Sequence, residues 1–211
     1  MSLSCIVLAG GKSKRMGKDK AFLDFKGKPF LRHILEKLSE ISDNIIVVIN
    51  KDFSNYAKII EGFHQVLLVK DFYPYEGPLN GVVSAKDYVK HEQVFISTCD
   101  IPIISTEFIK YLIGKTKEYD MVLPIVNEKK QPFNTVYKKN SLEIAEKIFK
   151  NGNRSLMKWI DSLKKVVINE NEIKNFKNAI YMYQSINTPK DYKNFLKIFN
   201  KRGEYGERHS I

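Results

Sequence analysis

The chain of 211 residues contains 43% hydrophobic and 28% charged residues, and its formal net charge is +11. These proportions are typical of a globular protein with its own core and argue against a disordered chain. The longest unbroken apolar runs, such as residues 45–49, are far too short to cross a bilayer, and two cysteines do not make a disulfide framework. No charged segment precedes the apolar run at residues 5–9, so we expect no signal peptide. We predict one domain over residues 1–202, a polar tail over residues 203–211 and a cytoplasmic location.

Short apolar runs alternate with amphipathic stretches along the chain. In chain order, the pattern predicts a strand at 4–9, a helix opened by Pro29, strands at 44–50 and 65–69 around a helix at 55–62, a helix from Pro78 to about residue 91, a strand at 93–98 and a helix capped by Ser105. It continues with strands at 120–126 and 134–138, helices at 141–150 and 154–163, short strands at 166–168 and 180–184, and a last helix opened by Pro189.

Strands that alternate with helices of this length predict an α/β domain with a mainly parallel sheet. In such a sheet, ligands bind outside the carboxyl ends of the strands. We therefore expect the functional site in the loops that follow Ala9, Asn50, Val69 and Thr98.

The loop after the first strand has the composition of an anion-binding site. Its sequence, AGGKSKRMGKDK over residues 9–20, places Gly10 and Gly11 before five basic residues: Lys12, Lys14, Arg15, Lys18 and Lys20. Glycine lets backbone amides approach a phosphate closely, and the basic side chains offset its charge. The spacing fits neither a P-loop nor the dinucleotide G-x-G-x-x-G pattern, because Ile6 and Lys12 stand at required glycine positions. The alternative is a flexible basic loop without a ligand.

Asp100 stands at the carboxyl end of the fourth strand, in the sequence STCDIP. A carboxylate in that place, facing a triphosphate, can hold Mg²⁺, although an aspartate there is also a common turn former. Two further loops are candidates. DFYPYEGPLNG, residues 71–81, enters a helix at Pro78 whose free amides could hold a base edge or an anion, and INTPKDY, residues 186–192, has Asn187 just before a helix that it could simply cap.

Together these segments resemble the molybdenum cofactor guanylyltransferase family, the MobA-like nucleotidyltransferases, over residues 3–196. LAGGKSKRMGKDKAFLDFKGKPF resembles the family signature L-A-G-G-x-S-x-R-M-G-x-D-K with its following G-x-P. EGPLNG is similar to the family's G-P-L-x-G, with Asn80 where a small residue is usual. CDIP, QPFNTVYKK and INTPKDY are similar to further family segments, in the same order.

The resemblance implies a single three-layer Rossmann-like α/β domain and the Mg²⁺-assisted transfer of guanylyl from GTP to molybdopterin, with release of pyrophosphate. It implies that Leu8, Ala9, Gly10, Gly11, Asn50 and Asp71 bind the nucleotide, that Lys20 neutralises phosphates and that Arg15 acts on the leaving pyrophosphate. Asp100 matches the family's magnesium ligand, and Asn187 matches a place where related transferases bind a second metal or the acceptor. Contact with other proteins of the molybdenum-cofactor pathway is a further expectation.

Other interpretations stay open at this point. The nearest is another small-molecule nucleotidyltransferase, either a molybdopterin cytidylyltransferase or a guanylyltransferase for a cobamide precursor. A different class is a non-catalytic nucleotide- or RNA-binding protein, which the sequence pI of about 9.4 would suit. Nucleic-acid surfaces usually interleave basic residues with stacking aromatics, and the loop at residues 9–20 contains neither Tyr nor Trp. We therefore expect neither a nucleic-acid nor a membrane partner.

Overall fold

The structure is a computed structural model, and it describes residues 2–13, 15–50 and 53–201. Two of the expectations above, the basic Lys14 and the polar tail at residues 203–211, lie outside the described residues. The ten strands are β1 (Leu3–Leu8), β2 (Asp24–Phe25), β3 (Lys28–Pro29), β4 (Asn44–Ile49), β5 (Val66–Lys70), β6 (Gln93–Thr98), β7 (Met121–Val126), β8 (Lys129–Lys130), β9 (Thr135–Lys138) and β10 (Lys165–Ile168).

Eight α-helices connect and cover these strands. They are α1 (Phe30–Ser39), α2 (Phe53–Ile60), α3 (Pro78–Ala85), α4 (Thr106–Thr116), α5 (Asn140–Lys150), α6 (Leu156–Ser162), α7 (Glu170–Lys174) and α8 (Pro189–Lys201). Between these elements lie short 3₁₀ helices at Lys20–Phe22, Lys86–Tyr88 and Ala179–Tyr183. Within the described residues, no helix combines the length and the apolar character that a bilayer crossing requires.

The central sheet has the strand order β10-β7-β9-β6-β1-β4-β5, and β8 pairs with β7 outside this path. β1 pairs in parallel with both β4 and β6, while β9 runs antiparallel to β6 and β7. The sheet is therefore mainly parallel, as the sequence predicts. The chain leaves β1 in one direction towards β4 and β5 and returns on the other side with β6, so a topological switch point lies at β1.

The core lies on both faces of this sheet, which explains the continuous apolar strands. Every residue of β4 is buried, as expected for a parallel strand that is covered on both sides. One face packs against side chains from α1, α2, α4 and α8. The other face packs against α3, α5 and α6, with Trp159 stacked on Tyr137 at a ring distance of 4.8 Å. The structure thus has the three-layer α/β architecture.

Three parts of the predicted secondary structure are wrong or incomplete. The strand expected at 180–184 is instead a 3₁₀ helix. Asn178, the residue before this helix, has a left-handed φ of 60°, and the Asn134 side chain donates a hydrogen bond to the carbonyl of Met182, which is therefore not available to a neighbouring strand. The helix expected from Pro78 to residue 91 ends at Ala85. The sequence reading also missed the β2–β3 hairpin, strand β8 and helix α7.

Candidate active site

The carboxyl ends of the parallel strands open into a cavity of about 520 Å³. Its walls come from all four loops that the sheet pattern indicates, together with the segment before α8. The lining residues are Leu8, Gly10, Gly11, Lys12, Ser13, Arg15, Lys20, Val48, Asn50, Asp71, Tyr75, Gly77, Pro78, Gly81, Thr98, Cys99, Asp100 and Asn187. The register of the sheet explains this meeting point, because Leu8 is paired with both Val48 and Thr98.

The Lys20 ammonium joins the two residues that the sequence suggests as metal ligands. Its Nζ lies 3.2 Å from Oδ2 of Asp100 and donates to Oδ1 of Asn187 at 2.6 Å. Lys20 and Asp100 are largely buried, with 13% and 22% of their side chains exposed. Thr98 donates its hydroxyl to the other carboxylate oxygen of Asp100 at 2.5 Å, which fixes the carboxylate at the strand end.

The backbone around Lys20 is held by Asp19 and Tyr56. Asp19 caps the 3₁₀ helix at Lys20–Phe22 by accepting from the amide of Ala21. Its other oxygen accepts from the Tyr56 hydroxyl at 2.8 Å, and that hydroxyl also contacts the carbonyl of Ala9. Burial and the nearby Asp19 carboxylate raise the pKa of Tyr56, so the phenol stays protonated and serves as a donor. The loop is thus anchored to α2.

Asn187 is fixed by the cap of the last helix. Asp191 accepts from the backbone amides of Asn187 and Thr188 at 3.0 and 2.8 Å, and the Thr188 hydroxyl accepts from the amide of Asp191. The hydrogen bond from Thr188 and the backbone amides, with a smaller contribution from Arg15, lower the pKa of Asp191. Thr188, and not Asn187, therefore makes the capping hydrogen bond to α8, while the Asn187 side chain bonds Lys20.

The two glycines of the basic loop have different roles. A Cβ on Gly10 would lie 2.3 Å from Nδ2 of Asn50, because that amide packs on the loop and bonds the Gly10 carbonyl. A Cβ on Gly11 would meet no atom within 4 Å. Gly11 lines the cavity and does not have a positive φ, so the protein itself does not require glycine there. The space beside Gly11 is open for a ligand to approach the backbone.

Asp71 is a buried carboxylate that also lines the cavity. Its side chain is 7% exposed, and burial raises its pKa to about 6, although hydrogen bonds from Ser84 and Asn50 oppose the shift. Its Oδ1 accepts from Asn80 at 2.5 Å and from the Ser84 hydroxyl at 3.1 Å, both on α3. Such a carboxylate is an acceptor for ligand N–H or O–H groups when it is ionised.

Most of the expected site residues meet in this cavity, with one exception. Leu8, Gly10, Gly11, Asn50 and the charged candidates line it, whereas Ala9 is 1% exposed and turns its carbonyl to Tyr56. The sequence reading did not single out Thr98 and Asp191, which hold Asp100 and Asn187. Their signals were present, in a hydroxyl two residues before Asp100 and in the T-P-K-D cap of α8.

Residues 5–166 match the family described as MobA-like NTP transferase domain. The chain belongs to this family. It is therefore a nucleotidyltransferase. The cavity at the switch point, where ligands bind in open α/β sheets, is its candidate active site.

Two relatives illustrate the range of similarity. A protein of Clostridium perfringens named probable molybdenum cofactor guanylyltransferase is 31% identical over 204 residues, covering 92% of this chain and 96% of that protein. A protein of Bacillus cytotoxicus with the same name is 37% identical over 153 residues, covering 71% and 73%.

Solved structures share the fold at lower identity. The molybdopterin-guanine dinucleotide biosynthesis protein A of Archaeoglobus fulgidus superposes with a TM-score of 0.78 at 21% identity, covering 94% of this chain and 99% of that one. The 4-diphosphocytidyl-2C-methyl-D-erythritol synthase of Anaerococcus prevotii gives a TM-score of 0.71 at 18% identity, covering 94% and 96%. Proteins with different substrates in their names thus share this architecture, so the fold does not decide the base.

We predict that Gly11→Ala weakens nucleotide binding roughly 10-fold or more without loss of stability, because the added methyl enters the cavity and not the protein. Gly114→Ala is the matched control, since Gly114 lies in α4 and its Cβ would also meet nothing within 4 Å. The control should keep nucleotide affinity and gain about 0.5–1 kcal/mol of stability as a helix substitution. Titration of each variant with a nucleoside triphosphate and thermal unfolding measure the two effects. Unchanged affinity in Gly11→Ala would show that the ligand does not approach this backbone.

We also predict that Asp71→Asn changes the pH dependence of stability. The pKa of Asp71 is raised in the folded protein from 3.8 to about 6, so the folded state binds more protons than the unfolded state between these values. The wild-type contribution is therefore most favourable below about pH 4 and is lost as the pH rises towards 6. The variant lacks this loss, so its free energy of unfolding relative to wild type should rise over that interval by at most about 2–3 kcal/mol. Urea unfolding at pH 4, 5, 6 and 7 tests this, and a pH-independent difference would contradict it.

Proposed function

We propose that the protein transfers guanylyl from GTP to molybdopterin with the help of Mg²⁺ and releases pyrophosphate. The observation that carries the proposal is the division of one cavity into two ends of different chemistry. Lys20, Asp100 and Asn187 form a charged cluster at one end, and Asp71 and the start of α3 form a hydrogen-bonding end. A nucleoside triphosphate has the same division between its phosphates and its base.

The charged end suits the phosphates. Arg15 and Lys20 line the cavity together with the Asp100 carboxylate, and Lys12 also lines it, with its ammonium over the Tyr75 ring. In the proposed reaction, an oxygen of the acceptor's terminal phosphate attacks the α-phosphorus of GTP, and the bond between that phosphorus and the bridging oxygen to the β-phosphate breaks. Lys20 and Arg15 bind the phosphate oxygens on which negative charge increases, with Arg15 assigned to the leaving pyrophosphate. Such transfer depends on positioning and charge stabilisation more than on a protein nucleophile.

The residues at this end fit a magnesium ion. Oδ2 of Asp100 and Oδ1 of Asn187 both lie within hydrogen-bond distance of the same Lys20 Nζ, so two oxygen donors converge on one place occupied by a cation. Among the described residues, no group of three or more His, Cys, Asp or Glu side chains is placed to hold a metal ion. Mg²⁺ commonly binds through one or two protein oxygens, with phosphates and water as its other ligands. Asp100, with Asn187, would hold the ion, which would offset charge on the phosphates.

The other end offers acceptors and donors for a guanine. Asp71 is a carboxylate, and Oδ1 of Asn50 is a buried oxygen without a hydrogen-bond partner among the described residues. Guanine presents N1–H and N2–H donors, which such acceptors can bind. Gly77 is the N-cap of α3, and no side chain caps this helix. Backbone amides at its N-terminus are therefore left for an acceptor such as O6.

Three features support a small-molecule reaction in the cytoplasm over a nucleic-acid surface. Lys12, Arg15 and Lys20 of the first loop line the same cavity. The names of the relatives point to molybdenum cofactor synthesis. Cys5 and Cys99 are buried free thiols, and burial raises the pKa of Cys5 to about 12, which suits a reducing compartment. Contact with other proteins of that pathway stays a prediction.

We predict that Asp100→Asn lowers the rate of transfer by about 100-fold or more, because it removes the carboxylate that the ion needs while it keeps the size of the side chain. The assay is pyrophosphate release with Mg²⁺, GTP and molybdopterin. Circular dichroism and the unfolding temperature establish that the variant is folded. Turnover near the wild-type rate by the folded variant would remove Asp100 from the mechanism.

Comparison of Lys20→Met with Lys37→Met distinguishes the effect of an ammonium at the site from the effect of the protein's net charge. Both substitutions remove one ammonium and keep the aliphatic stem, but Lys37 lies on α1, where its Nζ pairs with Glu40 at 2.6 Å. We expect Lys20→Met to lower kcat/KM for GTP at least about 10-fold and Lys37→Met to leave it within about twofold at physiological salt. Equal losses in the two variants would mean that the basic residues act only as a diffuse field.

Guanine selectivity is a separate expectation. Adenine lacks the N1–H and N2–H donors, so the acceptors at the Asp71 end would stay unpaired, at about 1–3 kcal/mol for each group. Two such groups give discrimination against ATP of about 100-fold or more. Competition titrations with GTP, ATP and CTP in the presence of Mg²⁺ measure this. Preferential binding of CTP would favour the cytidylyltransferase alternative and leave the assignments of Lys20 and Asp100 in place.

A further inference from the structure

Asn80 is a fully buried asparagine in the first turn of α3, at the position where the family's G-P-L-x-G segment usually has a small residue. Its side chain does not line the cavity. Its Nδ2 donates to Oδ1 of Asp71 at 2.5 Å and to the carbonyl of Tyr73 at 2.7 Å. Asn80 therefore ties both the aspartate and the loop after it to the helix.

Stability alone does not explain a buried asparagine at position 80. Its Oδ1 is buried and has no hydrogen-bond partner among the described residues. A buried acceptor left unpaired reduces stability, and an apolar residue at the same place would avoid that loss. The hydrogen bond that Asn80 donates to Asp71 therefore explains an asparagine at this position better than a contribution to the core does.

The contacts of Asp71 are divided between its backbone, α3 and the cavity. Its amide donates to the carbonyl of Ile49 at 2.9 Å, which fixes the main chain beside β4. On the side chain, Oδ1 receives both the Asn80 amide and the Ser84 hydroxyl. Asn50, next to the end of β4, also hydrogen-bonds this carboxylate, so Asn50 and α3 together hold it at the wall of the cavity that Asp71 lines.

We propose that Asn80 is a positioning residue for nucleotide recognition, which holds the Asp71 carboxylate in its ionised form with Oδ1 turned to α3, at the wall of the cavity where the nucleotide binds. A hydrogen-bond donor favours the charged form of a carboxylate, and the surroundings of Asp71 otherwise oppose that form. Burial and the nearby Glu76 both raise its pKa, while Ser84 and Asn50 lower it. The identity of the nucleotide as GTP rests on the function proposed above, but the effect of Asn80 on the carboxylate does not.

The experiment compares wild type with Asn80→Ala, Asn80→Asp and the control Asn44→Ala. Asn44 is also a buried asparagine, but it begins β4 at the opposite end of the strand and bonds Ser4. Carboxyl ¹³C NMR of the ligand-free proteins gives the titration of Asp71. Calorimetric titration with Mg²⁺ and GTP at pH 6 and pH 8 gives the dissociation constants.

We expect Asn80→Ala to raise the titration midpoint of Asp71 by about 0.5–1 pH unit, because the carboxylate loses a donor. GTP binding should then be about 2- to 6-fold weaker than in wild type at pH 6, and within about twofold of wild type at pH 8. Asn80→Asp keeps the volume but puts a second carboxylate against Asp71, so the rise should be larger. Asn44→Ala should leave the midpoint unchanged.

An unchanged Asp71 midpoint in either folded Asn80 variant would overturn the proposal, as would GTP binding weakened equally at pH 6 and pH 8, which is the mark of a purely structural role. Should Asn80→Ala not fold, Asn80→Asp gives the same NMR readout in an isosteric side chain. Failure of the wild-type protein to bind GTP would contradict the proposed function, and the ligand-free titration would still decide the role of Asn80.

Discussion

The site depends on one constraint, the in-register parallel pairing of β1 with β4 and β6. Because Leu8 lies between Val48 and Thr98, the three strands end at the same height, and the chain must leave all three into the same space. Gly10, Asn50 and Asp100 each stand two residues beyond these paired positions. A shift of one residue in either pairing would also turn the alternating core residues to the wrong face, so core packing and site geometry are fixed by the same contacts.

The charges of the cavity make sense only with an anionic ligand. The Lys20 ammonium is the cation that Asp100 and Asn187 share, and Arg15 interacts electrostatically with Asp191 beside them. A metal ion bound by Asp100 and Asn187 would compete with Lys20 for the same oxygens. Phosphate oxygens would give the ammonium new partners, because cationic donors bond phosphate strongly. Metal and nucleotide are therefore expected to bind together more favourably than either alone.

Sequence patterns predicted the parts of the fold that depend on local signals. The apolar runs gave β1, β4, β5 and β6, and Ser105 does cap α4 through the amide of Phe108. Helix α7 was missed although Asn169 and Glu172 form a capping box, a local signal that was available. The aromatic and β-branched residues of Ala179–Tyr183 favour a strand, but the segment is a 3₁₀ helix in which the Met182 carbonyl accepts from Asn134, far away in the sequence.

Local sequence signals do not predict the hydrogen-bonding end of the cavity, because its chemistry arises from contacts between separate elements. Asp71 matched a family position, but nothing in its local sequence shows that its carboxylate is buried against α3 and titrates near pH 6. Buried side-chain oxygens without partners are few in the described residues, and two of them, on Asn50 and Asn80, belong to the groups that donate to Asp71. Unpaired polar groups and a buried charge all reduce stability, and here they lie around one carboxylate at the wall of the cavity. Asn50 and Asp71 line that cavity, so a ligand can complete their hydrogen bonds, whereas Asn80 does not line it and acts only through Asp71.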